Sequence, residues 1–157
     1  MLESQTASLK PALLIFTAAF LATSILVYAI SLFIDLSNNS ALGIIALMGA
    51  AAPAGSKFFT ANSRLPTKGE RLRFAVMGSL IAVATSALFV VAGFLYYGVP
   101  LSTDNLAVAL GIPPGDMTAI LLIGLSIGLV LSVLVLYFAF NLGSRGALKQ
   151  AAKQATK

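Results

Sequence analysis

Side chains able to do chemistry are scarce in this chain, and their scarcity is informative. Its 157 residues include no Cys and no His. That removes thiolate nucleophiles, Ser-His-Asp triads, HExxH zinc sites and His-ligated haem together. The acids Asp104 and Asp116 lie in one connection and Glu70 in another. Two separated carboxylates without a third ligand make poor calcium or magnesium chemistry, and each sits where it can cap a helix start instead. Enzymatic work on a lipid would need Asp104, Asp116 and Glu70 to act from opposite sides of a membrane. The reading is therefore no enzyme, no cofactor and no metal. Thr17, Ser24 and Ser31 recur every seven residues, with Tyr28 four after Ser24, so a helix would carry them on one stripe. Such a stripe either lines a solute path or makes a helix–helix seam. The seam is preferred because no ionisable partner accompanies it. No P-loop, Rossmann glycine pattern, internal repeat or low-complexity tract is present.

The elements that must carry these residues are membrane spans. Hydrophobic residues make up 59% of the chain and charged residues 10%, against about 25% charged in soluble domains. The mean hydropathy is +0.97. Crossing the hydrocarbon layer takes about 20 apolar residues. Three uncharged runs meet this, at 11–34, 74–97 and 117–142. A fourth span at 41–61 contains Pro53 and ends near Lys57, which can snorkel to the interface. The fold expected is an all-α membrane protein, one transmembrane domain over 1–157. Its four transmembrane helices form two hairpins, with spans at about 11–34, 41–61, 69–97 and 117–142 and a basic cytoplasmic tail at 143–157. The first span is read as an uncleaved anchor, since its apolar run exceeds a signal-peptide core.

Ten Lys and Arg against five Asp and Glu leave a net charge of +5. With four spans all ten fall on one side. Lys10 precedes the first span. Lys57, Arg64, Lys68, Arg71 and Arg73 surround the middle connection, and Arg145, Lys149, Lys153 and Lys157 form the tail. The other side holds Asp35, Asp104 and Asp116. The positive-inside rule then gives N-in, C-in topology, and the basic face meets an anionic inner leaflet rather than nucleic acid. In the middle connection Thr67 and Glu70 fit a capping box, so the third helix should begin near Lys68. In the outer connection Ser102-Thr103-Asp104 should start a short interfacial helix. The tail cations recur every four residues, either as one helical stripe or as a frayed, solvated end.

Small residues mark the expected helix contacts. Ala46, Ala50 and Ala54 recur every four residues on the second span, where Pro53 should kink the helix by freeing the Gly49 carbonyl. Ser79, Ala82 and Ser86 make a similar row on the third span, and Gly124, Gly128 and Ser132 on the fourth. Ala54-Gly55-Ser56-Lys57-Phe58, followed by Arg64-x-Pro66-Thr67-x-x-Glu70 between the second and third spans, resembles a family of small four-span bacterial inner-membrane proteins. That resemblance implies a bacterial inner-membrane location and carries no activity. The function expected is a non-catalytic accessory or scaffold subunit of a larger membrane complex. A small homo-oligomeric transporter or channel, using the hydroxyl stripe and the Pro53 break, is the alternative.

Overall fold

In a computed structural model of the chain, residues 8–31, 33, 41–110, 113 and 117–156 are described. Asp35, Asp116 and Lys157 lie outside them, and with them the expected capping of the fourth span by Asp116. The described secondary structure is helical: α1 (Lys10–Ser31), α2 (Ala41–Asn62), α3 (Lys68–Tyr96), α4 (Thr103–Leu110) and α5 (Met117–Ala155). Of these, α1, α2, α3 and α5 are long and apolar enough to cross a membrane. Pro11 falls in the first turn of α1, where its missing N–H is no loss. Helix α2 continues through Pro53, which is exposed on its surface. At 39 residues and about 1.5 Å each, α5 is about twice as long as hydrocarbon is thick. It runs on through Arg145, Lys149 and Lys153 as one helix, so these cations do share a stripe.

Contacts divide the chain into two compact units. The first comprises residues 1–82 and 132–157. Here α1 buries Ala12, Phe16 and Phe20, and α2 buries Ala46, Ala50, Ala54 and Phe58, in each case every fourth residue. This is the i, i+4 ridge that packs into a neighbouring groove. Phe74 of α3 stacks on Phe140 of α5 with centroids 4.0 Å apart, and edge-to-face pairs join Phe16 to Phe74 at 5.6 Å and Phe58 to Phe140 at 5.7 Å. Four rings from four helices thus form one buried cluster. Each such pair adds about 0.5–1.5 kcal/mol beyond the area it buries.

The second unit covers residues 83–131. Helix α3 ends in it at Gly98, whose φ of +65° is the left-handed geometry of a helix stop. The Val99 N–H donates to Phe94 O at 3.0 Å and the Gly98 N–H to Leu95 O at 3.3 Å, the pair of bonds of a Schellman cap. Ser102 then starts α4, its hydroxyl accepting the Asn105 N–H at 3.2 Å. The Asn105 amide donates in turn to Pro100 O at 2.8 Å, closing the turn. Between the end of α3 and α4 lies an apolar cleft of about 360 Å³ lined by Gly93, Phe94, Tyr97, Val99, Asn105 and Val108. Along α5, residues 118–131 are exposed all round.

Candidate functional site

The connection between α2 and α3 is the most highly organised polar region among the described residues. Helix α2 is ended by Ser63, whose φ of +51° is left-handed. Its N–H reaches Phe59 O at 2.7 Å, and the Asn62 amide donates to Phe58 O at 2.8 Å. The reversal brings Arg64 back over the helix it has just left, with its guanidinium 5.5 Å from the Phe58 ring centre. Pro66 is buried, and α3 starts with the capping box. The Thr67 N–H donates to Glu70 Oε2 at 2.8 Å, and the Glu70 N–H to Thr67 Oγ1 at 3.3 Å.

Arg64 completes this arrangement. Its Nη1 donates to Glu70 Oε2 at 2.9 Å and its Nη2 to Oε1 at 2.6 Å, a two-pronged ion pair. Glu70 is only 6% exposed, so an unpaired carboxylate there would be costly, and the fork supplies both charge and donors. The same hydrogen bonds push the Arg64 pKa above its ordinary value. Arg64 is thus committed to holding the loop closed. The other cations expected on the same side of the membrane differ from it. Lys57, Lys68, Arg73, Arg145, Lys149 and Lys153 are exposed, while Arg71 is half-buried with its guanidinium 4.8 Å above the Tyr137 ring.

The small-residue rows separate into two groups. Ala46, Ala50, Ala54, Ser79 and Ala82 are buried, and the Ser132 hydroxyl donates to Ser79 Oγ at 3.0 Å, linking α5 to α3. Ser86, Gly124 and Gly128 are exposed, and nothing lies within 4 Å of where a Cβ would stand on either glycine. Within the chain, the close helix approach falls at Gly55 and Gly143. A Cβ on Gly55 would meet the Phe140 carbonyl, and one on Gly143 the Ala52 carbonyl. The serines that follow them lock the approach reciprocally. Ser56 Oγ donates to Gly143 O at 3.1 Å, and Ser144 Oγ to Gly55 O at 2.9 Å. Each hydroxyl also lies within hydrogen-bond reach of a carbonyl one turn earlier on its own helix, Ala52 O and Phe140 O. The signal was the Gly-Ser pair, which occurs at 55–56, 78–79 and 143–144. Its last copy falls just past the last apolar residue of the fourth span, where the sequence reads as tail.

The hydroxyl stripe of α1 is less concerted. Thr17 Oγ1 donates to Leu13 O at 2.9 Å, Ser24 is half-buried and Tyr28 exposed. The side chain of Ser31 lies outside the described residues. Glu70 and Asp104 fall in different units, and among the described residues no three acidic side chains gather to hold a metal ion. Comparison of the chain with protein-family models, curated proteins and solved structures finds no match.

Proposed function

We propose that this chain is a non-catalytic accessory or scaffold subunit in the inner membrane of a bacterium. In this reading it spans the membrane four times as two hairpins, N-in and C-in, with its basic face toward the anionic inner leaflet. The observation that carries the reading is the contrast between the two ends of the polar inventory. Ser56, Ser79, Ser132, Ser144, Arg64 and Glu70 are spent on bonds that hold helices and their connection together. The stretch 118–131 of α5 stays exposed, with Gly124 and Gly128 open to a close approach. Glycines spaced by four allow a second helix to come within backbone contact, and a membrane-protein partner or a second copy fits that surface.

The chain has no cysteine of its own, so single cysteines report cleanly. Gly128→Cys, cross-linked in native membranes, should give an adduct with one protein of different mass. An adduct at twice the chain mass would favour the homo-oligomeric alternative, and no adduct at all would mean that this face meets only lipid. Reporters fused after Lys157 and inserted at Asp104 should read cytoplasmic and periplasmic respectively. The opposite pattern would overturn the topology.

A further inference from the structure

The first turns of α3 carry more positive charge than the protein neutralises. Lys68, Arg71 and Arg73 all lie at the start of the helix, where the macrodipole is itself positive and cations are disfavoured. The nearby acid is Glu70, and both of its oxygens are engaged, by Arg64 at 2.9 and 2.6 Å and by the Thr67 N–H at 2.8 Å. Lys68 and Arg73 point into the surroundings, whereas Arg71 is half-buried. Its guanidinium lies 4.8 Å above the Tyr137 ring of α5. Its Nε is shut away from solvent and has no hydrogen-bond acceptor, and among the described residues Arg71 joins no ion pair.

Those facts distinguish Arg71 from a surface charge that merely orients the protein. Stacking on an aromatic face fixes the plane of the guanidinium and removes part of its hydration. Burial closes Nε to any ligand, so the terminal amino groups are the part of the guanidinium left to meet an anion. Arg71 also stands three residues before Phe74, which opens the uncharged run of α3. In a spanning helix that is the depth of the lipid headgroups. A planar fork held at this depth suits phosphate, whose oxygens accept two parallel N–H bonds from guanidinium as they cannot from an ammonium.

We propose that Arg71, steadied on Tyr137, binds the phosphate of an anionic phospholipid headgroup through its terminal amino groups, with Lys68 adding charge. This rests on the reading that the basic end of α3 lies at a membrane surface. It goes beyond that reading in assigning one defined site where charge alone gives only diffuse attraction shared by Lys57, Arg73, Arg145 and Lys149.

The test uses the full chain, purified and delipidated in a neutral detergent, with its melting followed by far-UV circular dichroism as phosphatidylglycerol is titrated into the micelles. Phosphatidylglycerol should raise the melting temperature saturably for the wild type and for Lys10→Gln, which removes one exposed charge elsewhere. Arg71→Gln and Arg71→Lys should each need about tenfold more lipid for half the shift. Phosphatidylcholine and soluble glycerol phosphate should give no comparable shift. Arg71→Lys keeps the charge and loses the fork, so it still reports if the glutamine variant fails to fold. The site is refuted if Arg71→Lys titrates like the wild type, if Lys10→Gln weakens binding as much as Arg71→Gln, or if glycerol phosphate reproduces the shift. Micelles have no sides, so a wrong orientation leaves this titration unchanged and shows only in the reporter fusions.

Discussion

Replacing Gly143 by alanine adds one methyl group where α2 and α5 come closest. The new Cβ would meet the Ala52 carbonyl oxygen and stand 2.7 Å from its carbon and 2.8 Å from the Ala52 Cα, whereas ordinary contacts begin near 3.4 Å. These are backbone atoms, with no rotamer to yield. The helices must therefore separate by about 1 Å, enough to stretch the Ser56–Gly143 bond from 3.1 Å and the Ser144–Gly55 bond from 2.9 Å beyond useful length. Forced separation of a packed contact costs about 1–3 kcal/mol, and each interhelical bond about 0.6 kcal/mol. Alanine returns up to about 1 kcal/mol of helix propensity. The net expectation is a loss of about 1–3 kcal/mol, read by equilibrium unfolding in mixed micelles of rising dodecyl sulfate content. Gly128→Ala is the control, because nothing lies within 4 Å of its Cβ position and only the propensity gain remains. If Gly143→Ala unfolds with or after the wild type, the reciprocal Gly-Ser contact is not a close approach.

Arg64→Ala should cost more than Glu70→Gln, because it strands a carboxylate that is 6% exposed, about 3 kcal/mol, whereas the partly exposed guanidinium left by Glu70→Gln can rehydrate at about 1–2 kcal/mol; unfolding of the two variants side by side gives the order, and the reverse order would refute the commitment of Arg64 to the loop. A double-mutant cycle on Ser79→Ala and Ser132→Ala should return a coupling of about 0.6 kcal/mol, and zero coupling would dissolve the hydroxyl link between α3 and α5. Phe74→Ala removes one stacked and one edge-to-face ring contact and should lower stability by about 3–5 kcal/mol. Phe138→Ala, at 60% exposure, should change it little, so equal losses would contradict the ring cluster.

Local chemistry made the helix starts readable, though not the end of α5, which runs on to Ala155 past the expected limit at 142. Apolar runs without charge, Pro11 in a first turn, the Thr67 and Glu70 pair and the Ser102 cap each act through neighbours a few residues away. The structure begins α3 at Lys68 and α4 at Thr103. What stayed hidden depends on contacts distant in sequence. Arg64 reads as an orientation charge because its pairing with Glu70 requires the left-handed turn at Ser63 and the buried Pro66 that follows. Gly124 and Gly128 have the spacing of a seam, but spacing tells only that backbones can approach. The approach within this chain occurs at Gly143, which the apolar count had assigned to the tail. Arg71 likewise reads as one of five similar cations, and only Tyr137, 66 positions on in the sequence, separates it from the rest.

The most direct measurement is purification of the protein from native membranes in mild detergent, with its size determined and its companions identified by mass spectrometry, in the wild type and in Gly128→Ile. An accessory subunit should travel with a larger membrane protein in fixed stoichiometry, and Gly128→Ile should release it while leaving the fold intact. A lone monomer, or a homo-oligomer unaccompanied by other proteins, would contradict that role. The weight would then move to transport by a self-assembled bundle.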